Sequence, residues 1–173
     1  MSHAEDRSIR LPVITGTGYP PPHDAPCRAR EYQFLGLAGG LSQFGVNLVR
    51  LKPGVWSGQR HWHTHEDEFV WVLEGQATLV TDEGAVQMGP GDCAAFPAGD
   101  ENGHHFQNDG PDDALLLTIG TRSDEDGCRY PDIDMVAHPG RYKNPGRSFT
   151  RRDGSPVAPD DPTVPLARGE EPD

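Results

Sequence analysis

The stretch that most narrows the folds open to this chain is Arg60-His61-Trp62-His63-Thr64-His65, followed closely by Glu68-Phe69-Val70-Trp71-Val72-Leu73. In extended backbone, residues two apart face the same way, about 6.6–6.8 Å from one another. The three odd-numbered imidazoles of the first segment therefore share a face. The second segment is rich in β-branched and aromatic residues and reads as a strand. Its Glu68, Val70 and Val72 lie on one side, so a carboxylate can enter the same interior as the histidines. Glu74-Gly75 closes that strand, because glycine tolerates the positive φ of a tight turn.

A second group of signals follows. Met88-Gly89-Pro90-Gly91-Asp92 is a turn, and Cys93 to Gly99 reads as a short apolar strand ended by Pro97 and Gly99. After a polar loop, His104, Phe106 and Asn108 share a face by period two. Imidazole and carboxylate together suit Mn, Fe, Co, Ni or Zn. His61, His63, Glu68 and His104 are thus candidate ligands of one divalent transition metal. Four protein ligands leave one or two positions open on a metal that accepts five or six. His65 has the right parity but follows a bend, and is read as a catalytic or supporting group at the pocket mouth. Arg50 becomes a candidate anchor for a substrate carboxylate if its strand turns even-numbered residues inward.

These two segments resemble the cupin superfamily. Its first motif is carried by His61, His63, Glu68 and Gly75, and its second by Gly91, Pro97, Gly99, His104 and Asn108. The sequence departs from the pattern twice: Gly54 lies seven rather than six positions before His61, and four residues rather than two separate Gly99 from His104. The resemblance covers roughly residues 44 to 120 and implies an all-β, antiparallel jelly-roll barrel around one open metal site. It also implies a homodimer acting on a small polar metabolite, either as an oxygenase or decarboxylase or as a sugar isomerase. A non-catalytic metal and ligand-binding module is the alternative, because a fold alone does not decide a reaction.

The rest of the chain fits one such domain. Glycine and proline, 21 and 17 of 173 residues, suit short strands and turns rather than helices. Residues 44–121 are read as the barrel, 1–43 as an arm with an edge strand near Arg30 to Leu37, and 122–173 as a polar extension anchored by Tyr142 and Phe149. The last twenty residues are too poor in apolar side chains to offset their ordering entropy. They are expected to be loose or to lie along a neighbouring subunit. A net charge of −12 argues against nucleic acid or an anionic membrane as partner, although a local arginine can still serve an anionic substrate. No apolar run is long enough to span a membrane, the first residues do not begin a signal peptide, and three cysteines without knuckle spacing read as reduced thiols. A cytoplasmic location is expected. Cys93 is read as a small core residue.

Overall fold

The computed structural model describes residues 11–143 and 148–157. Thirteen strands occur among them: β1 (Ile14–Thr15), β2 (Glu31–Gln33), β3 (Phe44–Leu51), β4 (Trp62–His63), β5 (Glu68–Glu74), β6 (Ala77–Thr81), β7 (Gly84–Met88), β8 (Cys93–Phe96), β9 (His105–Gln107), β10 (Ala114–Thr121), β11 (Cys128–Arg129), β12 (Val136–Ala137) and β13 (Phe149–Thr150). One helical turn, α1 (Leu35–Ala38), lies where the expected edge strand was drawn through to Leu37. All pairings are antiparallel.

One wall is a six-stranded sheet in the order β1-β2-β3-β10-β5-β8. The other is built from two smaller sheets, β7-β6-β9 and β13-β12-β11-β4. They are stitched together by an isolated bridge between His61 and His104. This is the jelly-roll arrangement expected from alternating strands. Inward side chains of the large sheet, Val49, Leu51, Val70, Val72, Ala114 and Leu116, are buried with Phe106 and Met88 from the facing wall. Burying side chains of this size yields roughly 1.5–3 kcal/mol each, which is what holds the two walls together.

Register decides which residues reach the interior. In β3 the buried residues are the odd-numbered Val49 and Leu51. Arg50 therefore stands on the outer face, 3.5 Å from Asp113, and does not serve as an anchor inside the pocket. The alternation in Phe44 to Leu51 is ambiguous because both parities carry apolar residues, and pairing with β10 resolves it. Asn108 is fully buried; its side-chain amide donates to the carbonyls of Leu51 and Asp112, and its oxygen accepts from the Gly110 backbone.

The flanking segments form a second core. Tyr19, Cys27, Cys128, Tyr130, Met135 and Ala137 are buried together, with Phe149 packed against them. The arm is thus partly anchored by Tyr19, whose ring meets Tyr130 edge-on at 5.8 Å. Of the two expected anchors, Phe149 packs into this core, whereas Tyr142 is exposed. The final residues, 158–173, lie outside the described residues. Arg60 joins Asp132 through two hydrogen bonds of 2.7 and 2.6 Å and also pairs with Asp82, tying the β6–β7 turn to the extension.

Cys93 is exposed, contrary to the core role read from its apolar surroundings, because its parity on β8 puts it opposite Trp71 on the outer face. Cys27 and Cys128 are buried, and burial pushes the Cys27 thiol up to about 11. Thiol reactivity follows thiolate character and access. The native protein is expected to react with an aromatic disulfide reagent at one fast thiol, Cys93, and at three only after unfolding. Loss of the fast phase in Cys93→Ser checks the assignment.

Candidate metal centre

His63 lies on β4, Glu68 opens β5, and His61 and His104 form the bridge that joins the two smaller sheets. Backbone bonds in both directions across that bridge, 3.1 and 2.8 Å, hold the two imidazoles side by side. Their ring centroids are 5.2 Å apart, and His61 lies 5.1 Å from His63. One donor atom each from His61, Glu68 and His104 falls within 4.8 Å of the others. Nε2 of His104 lies 3.1 Å and Nε2 of His63 lies 3.6 Å from the same Glu68 oxygen. The four side chains singled out by spacing are thus brought together.

What fixes them differs at each position. Nδ1 of His61 lies 2.8 Å from the Gln59 carbonyl, which can only accept, so Nδ1 carries the proton and Nε2 offers a lone pair. Nδ1 of His63 lies 2.8 Å from an Asp126 oxygen. The His104 ring is stacked on Phe96 at 3.5 Å. Burial works against a charge on Glu68, but the hydrogen bond from His104 and the positive field of His104, His63 and His61 outweigh it and hold its carboxyl down at about 2. Burial also opposes a charge on His63, while Cys128, Asp126 and Glu68 together raise it to about 9.

Behind His63 stands a set of groups that periodicity did not flag. Asp126 is 1% exposed; one oxygen faces His63 and the other accepts from the His65 backbone at 3.0 Å. Arg141 pairs with the buried Glu66 and lies 3.6 Å from Asp126. Glu66 in turn accepts from the Ser123 backbone at 2.8 Å. Cys128 Sγ lies 3.5 Å from His63 Nδ1. Residues 123–127 form an acidic stretch in the sequence, and the pairing of β11 with β4 brings Asp126 to His63.

His65 does not join the cluster. It follows the two-residue strand β4, its side chain is exposed, and its Nδ1 meets the Thr64 hydroxyl at 2.9 Å. The extended spacing that would place His65 beside His63 ends at the bend after Thr64.

Three imidazole nitrogens and one carboxylate oxygen, with the outer nitrogens of His61 and His63 already engaged, suit a divalent transition metal. His63, Glu66 and Asp126 also come close enough to hold an ion, but Arg141 neutralises that group.

Comparison with known proteins agrees with this geometry. A family model described as the cupin domain matches residues 47–120. A solved structure of a sugar phosphate isomerase from a cupin superfamily, from Silicibacter pomeroyi, is 48% identical, covers 86% of this chain and 93% of its own, and superposes with a TM-score of 0.80. A protein from Acidithiobacillus ferrooxidans, assigned provisionally as a sugar phosphate isomerase, is 30% identical over 76% of this chain and 82% of its own, with a TM-score of 0.66. No curated protein matches the sequence. No helix among the described residues is long and apolar enough to cross a membrane. With its jelly-roll walls, its paired motifs and a relative this similar along nearly its whole length, the chain belongs to the cupin superfamily.

Proposed function

We propose that this protein is a metal-dependent isomerase of a small phosphorylated sugar. The grouping of His61, Glu68 and His104, with His63 3.6 Å from the same Glu68 oxygen, carries this reading. The similarity to a sugar phosphate isomerase over most of the chain supports it over oxygenation or decarboxylation. A bound divalent cation would supply Lewis acidity there, drawing charge from a carbonyl or hydroxyl oxygen.

The chain's own residues prepare that chemistry. Gln59 and Asp126 hold protons on the outer nitrogens of His61 and His63, so both rings aim Nε2 at the centre. Val70, two residues after Glu68 on the same face of its strand, is buried in an apolar core with Val72 and Leu116, and apolar surroundings strengthen polar contacts beside them.

The test is proton magnetic resonance of Co2+- or Mn2+-loaded protein with aldose and ketose phosphates in deuterated water. Interconversion with deuterium entering at the carbon beside the carbonyl, abolished by chelation, is the expected result. Oxygen uptake or carbon dioxide release in its place would overturn the isomerase reading.

We also propose a homodimer, in the cytoplasm, with no nucleic-acid or membrane partner. Trp71 and Phe44, 43% and 40% exposed, project from the outer face of the large sheet, where Cys93 also lies. Trp71, with the neighbouring exposed Leu73, is the apolar feature of this face that supports an association surface. Trp71→Glu is expected to give a monomer in sedimentation analysis, and an unchanged sedimentation coefficient would refute the assignment.

A further inference from the structure

We infer that Arg122 and Asn47 form the seat for the phosphate group of the substrate, on the inner wall that also carries Glu68; this rests on the sugar-phosphate reading above.

The register places them there. Glu68 faces Gly120 across β5 and β10, and Gly120 faces Gly45 across β10 and β3. Asn47 follows Gly45 by two residues and Arg122 follows Gly120 by two, so both project from the face that buries Val49 and Leu116. Side-chain positions agree with that parity. A β-carbon placed on Gly45 would lie 3.7 Å from Asn47 Nδ2 and 3.8 and 3.9 Å from Arg122 Nε and Nη2. The two side chains therefore lean over the bare backbone of Gly45, separated from Glu68 by the single strand that carries Gly120.

Among the described residues, part of their donor capacity is unspent. Arg122 donates from Nη1 to the Leu41 carbonyl at 2.7 Å and lies 5.6 Å from the Tyr142 ring, which fixes the guanidinium at the rim. Its Nε and Nη2, and the Asn47 amide, have no hydrogen-bond partner among the described residues. Arg122 also lines a cavity of about 480 Å³ with Leu41, Ser42, Asp124 and Tyr142. Asp124 is the acidic group there, and Lys143 pairs with it at 2.6 Å. A planar guanidinium with two parallel N–H groups to spare matches two phosphate oxygens, and an added amide donor serves a third. In a chain of net charge −12, a held arginine with open donors is what an anionic substrate requires.

The test is calorimetric binding of glucose 6-phosphate, glucose, gluconate and inorganic phosphate to the metal-loaded full chain, with Co2+ affinity measured in parallel. Wild type is expected to bind glucose 6-phosphate and phosphate in preference to glucose and gluconate. Arg122→Gln should weaken phosphate binding about tenfold or more, the scale of lost charge-assisted hydrogen bonds, with Co2+ affinity unchanged. Gly45→Val is the second variant. Its β-carbon has ordinary contact distances, so the fold tolerates it while its methyl groups fill the seat. It should lose glucose 6-phosphate binding and keep the metal. Phosphate binding within twofold of wild type in both variants, or wild-type preference for gluconate or equal binding of sugar and sugar phosphate, would overturn the assignment. Failure of wild type to bind Co2+ at all would instead refute the metal centre.

Discussion

Replacing His63 by alanine removes stoichiometric Co2+ or Zn2+ binding, while the far-ultraviolet circular dichroism remains that of a β protein. The ring supplies a donor atom 3.6 Å from the Glu68 oxygen, whereas the walls are held by a core that does not include it. Asp126→Asn, which leaves the ring but spoils its orientation, should cost about 10–100-fold in affinity. The alanine variant should lose more than this. Competition with a fluorescent chelator measures both, and full metal occupancy in His63→Ala would contradict the assignment.

A pH dependence accompanies this. Without metal, His63 is protonated up to about 9, and an ion must displace that proton. Affinity should therefore rise about tenfold per pH unit toward pH 9 for each proton released. The sign for stability is opposite. A histidine raised above its unfolded value stabilises the metal-free fold fully below about pH 6.5, and that contribution is lost as pH rises through about 9. The metal-free melting temperature should fall across this window in wild type, and this component of the fall should be missing in His63→Ala.

Arg141→Ala should produce the largest loss of stability. Its guanidinium pairs with the buried carboxylate of Glu66 and lies 3.6 Å from that of Asp126, which His63 also faces; the two carboxylate side chains are 4% and 0% exposed. Removing one partner of a buried ionic group strands the other charges and costs about 3–5 kcal/mol. For a domain of this size that corresponds to a fall in melting temperature on the order of 10 °C. The exposed pair Lys143 and Asp124 offers the control: its loss should cost no more than about 1 kcal/mol. Urea unfolding of both variants measures the difference, and equal small losses would show that Glu66 and Asp126 do not depend on Arg141. Metal affinity should fall as well in Arg141→Ala, since Asp126 orients His63.

The antiparallel β architecture was legible because strand periodicity and turn chemistry are local properties. The strand read from Glu68 to Leu73 and the one read from Cys93 appear at Glu68–Glu74 and Cys93–Phe96, within a few residues of their expected limits. His61, His63, Glu68 and His104 could be named as a group because their spacing follows from extended backbone and a recurring motif. Arg50, His65 and Cys93 were harder. The parity of β3 depends on its pairing with β10, the chain bends after Thr64, and Cys93 follows the outer parity of β8 although its neighbours are apolar.

The amino-acid order by itself thus determined the strands, the turns and the chemical character of the candidate centre, since each is set by residues close together along the chain. Only the tertiary structure decided which face of each strand looks inward and which distant groups stand behind the site. Asp126 and Arg141 meet His63 and Glu66 across roughly 60 to 75 residues of sequence, and Arg122 leans over Gly45 from the far end of another strand. No local pattern encodes such meetings, because they arise when pairing and burial choose one register among several that the same alternation permits.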